Sequence, residues 1–149
     1  MTHRMKRFLN HSEAAYQAWL AVEQHVRSAG VPHATLELVK LRASQINGCA
    51  FCLDMHARDA REHGESEVRL WTLAGWREAP YYTPAERAAL ALTEAMTLLD
   101  AHGVPDEIWD EAAAHFEEAQ LAALVVGIVQ INTWNRVNVA LRVPPMTKI

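Results

Sequence analysis

The sequence predicts an all-α protein, and three observations support that prediction. Apolar residues recur at three- and four-residue steps along most of the 149-residue chain. Capping and stop signals divide this pattern into segments of helical length. No alternating strand pattern of useful length occurs, since the strand-like run VVGIVQI at 125–131 has helical flanks and no partner strand. We therefore expect one compact helical domain of about seven helices over residues 1–149.

The N-terminal half of the chain contains four predicted helices. The first follows a single apolar stripe, which consists of Met5, Phe8, Ala15, Trp19, Val22 and Val26. The turn sequence AGVP at 29–32 ends that helix. The second helix spans 34–46 and stops at the Asn-Gly pair 47–48. The third runs from 49 to Gly64, and a short fourth helix follows Ser66.

The C-terminal half contains three more predicted helices. The sequence TPAE at 83–86 is a capping box with a proline at the first helical position, and it opens the fifth helix. We expect that helix to run to about His102. Pro105 opens the sixth helix. The seventh spans 118–143 and ends before the proline pair at 144–145.

Charge and hydropathy exclude several classes of function. The net charge of −4 and the pI of about 6.0 argue against electrostatic binding of nucleic acid. No run reaches the roughly 18 apolar residues that a membrane-spanning helix needs. The N-terminal sequence also lacks the apolar run and the cleavage site of a signal peptide. We therefore expect a cytoplasmic protein with no membrane partner, in a compartment where thiols are kept reduced.

The two cysteines of the chain, Cys49 and Cys52, lie in the stretch NGCAFCLDMH at 47–56. On a helix they share one face with His56, at positions i, i+3 and i+7. The break at Gly48 puts both cysteines in a first helical turn, where free N–H groups and the helix dipole stabilise a thiolate. This position favours a low thiol pKa and reversible disulfide chemistry, with His56 one turn from Cys52 to transfer protons.

Three other interpretations of the cysteine pair remain open. A structural disulfide would close a very short loop and would add only roughly 2 kcal/mol of stability. A zinc site would need four ligands, for which Cys49, Cys52, His56 and a carboxylate are the candidates. The thiols could also pack as small apolar groups. An alternative to an enzyme is a redox-sensing or partner-binding helical module. In such a module the Cys49–Cys52 pair would change the shape of the protein but would catalyse no turnover.

The run ELVKLRASQINGCAFCLDMHARDAREHGES at 37–66 resembles the AhpD-like alkylhydroperoxidases of the carboxymuconolactone decarboxylase superfamily. The shared pattern is a glutamate, eleven residues, Cys-x-x-Cys, three residues and a histidine. The residues that match in register are Glu37, Ser44, Asn47, Cys49, Cys52 and His56. The resemblance continues more weakly through 69–97 and 131–136, so it covers most of the chain.

This resemblance implies an all-helical homo-oligomer, commonly a trimer or hexamer, that reduces hydroperoxides without an organic cofactor or a metal. Peroxide would attack Cys52, and Cys49 would condense with the resulting sulfenic acid. Glu37 and His56 would form a proton relay, and an external dithiol or thiol protein would reset the pair. Phe51 lies between the cysteines, where the best-known members carry a histidine.

Residue type alone gives separate expectations for Glu37 and for three neighbouring residues near the end of the chain. A lone glutamate on a helix, such as Glu37, is usually a solvated surface charge. Trp134, Asn135 and Arg136 are expected to serve the core or a subunit contact rather than catalysis.

Overall fold

The computed structural model describes residues 2–146, and over this range the chain consists of helices joined by short turns. No strand occurs in this range, which confirms the predicted fold class. A 3₁₀ turn at Leu73–Gly75 follows the fifth of eight α-helices. The helices are α1 (Phe8–His11), α2 (Glu13–Ser28), α3 (His33–Asn47), α4 (Ala50–Glu62), α5 (Glu67–Thr72), α6 (Pro84–Thr97), α7 (Asp106–His115) and α8 (Glu118–Leu141).

The predicted first helix is wrong in one respect, because it breaks into α1 and α2 at Ser12. The N–H of Ser12 bonds back to the carbonyls of Phe8 and Leu9, which closes α1 after four residues. Since α1 buries no residue, no core packing holds it in line with α2. The segment before α1 is instead held to the end of α8, where the Arg4 N–H donates to the Leu141 carbonyl over 2.8 Å.

The predicted fifth helix, here α6, ends at Thr97 and not near His102. Leu98 and Leu99 are more than half exposed, so continuing the helix would bury little apolar surface. The Asp100 carboxylate accepts the backbone N–H of His102 over 2.7 Å and builds a turn instead. Short polar side chains compete with helical hydrogen bonds in this way.

The core surrounds α3, which packs against α4, α6 and α8. Leu36 and Val39 of α3 meet Leu92 of α6 and Leu124 of α8 in the main apolar cluster. Burying one side chain of this size stabilises the folded state by roughly 2 kcal/mol. Gly127 of α8 permits the close approach of α2, because a Cβ there would lie only 3.2 Å from Cγ1 of Val26. This central position of α3 explains why its polar residues end up in the interior.

Within residues 2–146, none of the helices combines the length and the apolar composition needed to cross a membrane. Buried polar residues interrupt even α8, the most apolar of the long helices, at Gln130, Asn132 and Asn135.

Candidate active site

The turn between α3 and α4 positions the two cysteines. Gly48 ends α3 in the left-handed conformation, with φ of 66°, which costs another residue roughly 1–2 kcal/mol. The N–H of Cys49 then bonds to the Ser44 carbonyl over 3.0 Å, and Cys49 becomes the N-cap of α4. Its Sγ accepts the backbone N–H of Cys52 over 3.3 Å. Both sulfurs therefore lie in the first turn of α4, and both cysteines are free and buried.

The two thiols differ in their readiness to ionise. A hydrogen bond from the Cys49 thiol lowers the pKa of Cys52 to about 6, and it outweighs burial, which acts in the opposite direction. The side-chain amides of Asn138 and Asn135 lower the pKa of Cys52 further, and Nδ2 of Asn138 lies 3.4 Å from the sulfur. The same bond to Cys52, together with burial, raises the pKa of Cys49. At neutral pH, Cys52 is therefore the thiolate and Cys49 the thiol.

Glu37 and His56 lie together in the interior. Oε2 of Glu37 lies 2.7 Å from Nδ1 of His56, and its other oxygen accepts Nζ of Lys40 over 3.2 Å. Burial alone would raise the pKa of Glu37, but the hydrogen bond from His56 and the charges of His56 and Lys40 lower it to about 2. The side chain of Glu37 is 1% exposed. The expectation of a solvated surface carboxylate at this position is therefore wrong.

Further charged residues around Glu37 were not found from the sequence. Lys40 is itself buried and also donates to Oε1 of Glu23 over 2.5 Å. Arg27 lies 3.6 Å from Oε1 of Glu37 and 3.2 Å from Oδ2 of Asp59. These contacts join α2, α3 and α4 and place two cations beside the buried carboxylate of Glu37, where positive charge favours its ionised form.

An amide network from α8 supports the cysteine turn. Nδ2 of Asn135 donates to Oγ of Ser44 over 3.0 Å, and its Oδ1 accepts Nδ2 of Asn47 over 2.9 Å. Asn135 thus belongs to the core, as residue type suggested, but it also contacts the turn that holds the sulfurs. The signal that sequence reasoning missed is the three-residue spacing of Asn132, Asn135 and Asn138 along α8.

Trp134 and Arg136 were also expected to serve the core or a subunit contact, and they make different contacts from Asn135. Trp134 is half-buried, and its ring packs edge-on against Trp19 with the ring centroids 5.0 Å apart. Arg136 is exposed and donates to Oδ1 of Asn132 over 2.8 Å. Trp134 therefore shapes the interior, whereas Arg136 only supports the amide network.

A cavity of about 440 Å³ opens beside Cys52 and His56. Much of its wall is apolar, with contributions from Phe8, Phe51, Met55, Ile131, Trp134 and Val137. Phe51, which lies between the two cysteines in the sequence, therefore supplies part of this wall. His3 also lines the cavity, and its buried Nε2 has no hydrogen-bond partner within the described part of the chain. Both cysteines are buried, but Cys52 belongs to the lining of this cavity and Cys49 does not.

Two groups of side chains place three potential metal ligands within 4.8 Å of one another. They are His33 with Asp59 and His63, and Glu37 with His56 and Asp59. Neither group includes a cysteine, so over residues 2–146 the geometry does not support the zinc interpretation of the Cys49–Cys52 pair.

Comparisons with known proteins agree with this architecture. The carboxymuconolactone decarboxylase family matches residues 13–95 of the chain. The uncharacterized protein YdfG of Bacillus subtilis is 45% identical over 120 residues, which cover 80% of this chain and 82% of YdfG.

Two solved structures have the same fold. A protein of unknown function from Agrobacterium tumefaciens, proposed to be the antioxidant defence protein AhpD, is 39% identical and covers 99% of this chain and 100% of its own, with a TM-score of 0.92. The debrominase Bmp8 is 18% identical, has a TM-score of 0.81, and covers 93% of this chain and 75% of its own, so it is similar in fold alone. The chain therefore belongs to the carboxymuconolactone decarboxylase family and has an AhpD-like fold with a Cys-x-x-Cys pair.

Proposed function

We propose that this protein is a thiol peroxidase that reduces hydroperoxides through Cys52 and Cys49. One observation carries the proposal: the Cys52 sulfur lines a cavity, has a pKa of about 6, and contacts the thiol of Cys49. A thiolate is the nucleophilic form of cysteine, and a neighbouring thiol allows the oxidised sulfur to be recovered as a disulfide. A buried pair that only packed in the core would not need an ionised sulfur at a cavity wall.

The reaction would proceed in three steps. The Cys52 thiolate attacks the terminal oxygen of the hydroperoxide, so that an S–O bond forms, the O–O bond breaks, and an alkoxide leaves and takes up a proton. The Cys49 thiol then attacks the sulfenic sulfur of Cys52, which forms the disulfide and releases water. An external dithiol exchanges with this disulfide, restores both thiols and is itself oxidised.

His56 would supply the proton for the leaving alkoxide. Its Nδ1 is bound to Glu37, which fixes the ring and leaves Nε2 for exchange with the cavity. Removing the proton of a thiol and protonating an alkoxide are both general acid–base steps, which a histidine held by a carboxylate serves well. Glu37 is therefore proposed as the positioning residue of the relay.

The apolar wall of the cavity favours an organic hydroperoxide over hydrogen peroxide, because a hydrocarbon group gains free energy when it leaves water. Nε2 of His3 is a polar atom that has no hydrogen-bond partner among residues 2–146, and it would bind a peroxide oxygen. We expect kcat/KM to be higher for cumene hydroperoxide than for hydrogen peroxide. Equal values for the two peroxides would contradict this choice of substrate.

The test of the mechanism is thiol chemistry on the reduced protein. About one equivalent of peroxide should remove two thiols and about 2 Da of mass, as one disulfide requires. Cys52→Ser should abolish peroxide consumption. Cys49→Ser, the matched variant, should react once and leave a sulfenic acid at Cys52 that a sulfenic-acid reagent traps. An adduct trapped on Cys49 in the Cys52→Ser variant would reverse the assigned roles.

Turnover distinguishes the enzyme from a redox-sensing module. With excess peroxide and dithiothreitol, the peroxidase should consume peroxide continuously. A protein that forms the Cys49–Cys52 disulfide but consumes no further peroxide would be a redox-sensing module instead.

We also infer that residues 1–149 form one domain that assembles as a homo-oligomer in the cytoplasm, where the disulfide can be reduced. Large apolar side chains on the surface support assembly, and the most exposed is Trp71, at 73%. Light scattering that gave a monomer at micromolar concentration would contradict the oligomer.

A further inference from the structure

A second group of chemically capable side chains lies apart from the sulfurs, where the start of α3 approaches the end of α4. It consists of His33, Asp59 and His63, and one potential ligand atom of each lies within 4.8 Å of the other two. Asp59 lies in the last turn of α4, and His63, the residue that follows this helix, comes four positions later, so the two side chains share one face. His33 is the first residue of α3. We propose that these three side chains form a binding site for a divalent transition metal, with zinc as the ion to test.

The chemistry of the three groups suits such an ion. Two imidazole nitrogens and one carboxylate are ligands that zinc takes in open sites, with water completing the coordination. The side chains of His33, Asp59 and His63 are 31%, 26% and 56% exposed, so solvent reaches the site. Nδ1 of His63 lies 2.8 Å from the backbone carbonyl of Asp59. Metal-binding histidines commonly donate one ring nitrogen to such a carbonyl while the other faces the metal.

The side chain of Arg27 contacts two of the three proposed ligands. One guanidinium nitrogen of Arg27 lies 3.2 Å from Oδ2 of Asp59, and another lies 3.3 Å from Nε2 of His33. The ring nitrogen of His33 accepts this bond, since a guanidinium can only donate, so its lone pair already faces a cation. The Arg27 side chain is 41% exposed and can withdraw into solvent while keeping its bond to Glu23. A metal ion would therefore exchange with Arg27.

This exchange would take place beside the Glu37 carboxylate. Oε1 of Glu37 lies 3.6 Å from Arg27 and 3.9 Å from Nε2 of His33. Zinc binding would thus replace one cationic neighbour of Glu37 with another. The site itself depends only on His33, Asp59 and His63, so it does not rest on the proposed peroxidase activity.

Calorimetric titration with zinc chloride tests the site. The double variant Cys49→Ser/Cys52→Ser is the parent, because it excludes any signal from zinc and cysteine sulfur and keeps all three proposed ligands. We expect one zinc ion per chain. His33→Gln or His63→Gln, added to this parent, should each weaken binding by at least about tenfold, the lower bound for losing even an outer-shell partner. His63 is an exposed position, so His63→Gln gives a folded variant if His33→Gln does not.

Two further variants sharpen the test. His115 pairs with Glu111 four residues away over 3.1 Å but belongs to no three-ligand group, so His115→Gln should leave zinc affinity unchanged. Arg27→Gln should strengthen zinc binding by about fivefold or more, because a competing unit charge about 4 Å from the ligands is removed. No binding at zinc concentrations up to about 1 mM would overturn the proposal. So would affinities that His33→Gln and His63→Gln leave unchanged, or weaker binding in Arg27→Gln.

Discussion

Two buried carboxylates, Glu37 and Glu86, lie in ion clusters that have different partners. Glu86 accepts both terminal nitrogens of Arg69, over 2.6 and 3.2 Å. It also completes the capping box of α6, because it accepts the Thr83 N–H over 2.8 Å. Burial opposes ionisation at both carboxylates, yet hydrogen bonds and neighbouring cations lower both pKa values. Both glutamates are therefore buried, and the pKa of each is shifted in the same direction.

Their partners differ. Arg69 is permanently charged and has no proton to exchange at ordinary pH, so its pair with Glu86 can only hold α5 and α6 together. His56, the partner of Glu37, carries an imidazole that can both donate and accept a proton, and it lines the cavity with Cys52. A buried carboxylate therefore does not by itself mark an active site; the partner and the cavity distinguish a proton relay from a structural ion pair.

The largest expected difference between the two clusters is in the rate of peroxide reduction. Glu37→Gln and His56→Gln should each slow the peroxide step by about 10²-fold or more, the usual scale of general acid–base catalysis. The double variant should cost little more than the worse single change, because the two groups act as a unit. Glu86→Gln is the matched control and should leave the rate of the folded protein unchanged. Stopped-flow peroxide consumption across pH measures all four.

If the rate loss of the Glu37→Gln/His56→Gln double variant equals the product of the two single losses, the two residues act independently. A Glu37→Gln variant as fast as the parent, with the same pH profile, would make Glu37 a structural residue like Glu86.

The next expected effect is on the ionisation of Cys52. The alkylation rate of the reduced protein by iodoacetamide should rise with pH around a midpoint of about 6, since only the thiolate reacts. Cys49→Ala removes the main hydrogen-bond donor to the Cys52 thiolate, so the midpoint should move up towards the ordinary value of about 8.5. Glu86→Gln should leave it in place. An unchanged midpoint in Cys49→Ala would show that the Cys49 thiol does not stabilise the thiolate.

The free energy of unfolding should distinguish the buried pair of Glu86 with Arg69 from an exposed ion pair. Glu86→Gln breaks a bidentate pair with Arg69, whose side chain is 19% exposed, and should lower the free energy of unfolding by about 2–3 kcal/mol. Glu67→Gln breaks the exposed pair with Arg61 and should change it by less than about 1 kcal/mol. Urea denaturation at neutral pH measures both. If the two changes lowered the free energy of unfolding equally, Glu86 would not have the structural role assigned to it.

A further expected effect is on stability in acid. The folded pKa of Glu37, about 2, lies below its ordinary value of 4.5, so its ionisation stabilises the fold above pH 4.5. This contribution is lost as the pH falls from 4.5 towards 2, and the lowered pKa of Glu86 acts with the same sign. The stability difference between the parent and Glu37→Gln should therefore shrink over that window. A difference that stayed constant from pH 5 to about 2 would contradict the lowered pKa.

Local sequence determined much of the fold. The left-handed glycine at Gly48 and the capping box at 83–86 act on neighbours within a few residues, and both helix boundaries lie where they were predicted. The same local rule put Cys49 and Cys52 in one helical turn. The two boundaries that were wrong, at Ser12 and after Thr97, lie in exposed segments where no buried apolar surface favours continuing the helix.

Only the tertiary structure decided the environment of the site. Glu37 is buried because α3 is enclosed by other helices, and a solvated glutamate would have the same local sequence. The ion pair of Lys40 with Glu23 spans 17 residues, and the contact of Asn138 with Cys52 spans 86. Ionisation depends on solvation and on charges a few ångströms away. Residues far apart in the chain provide both, so helical periodicity and spacing do not reveal them.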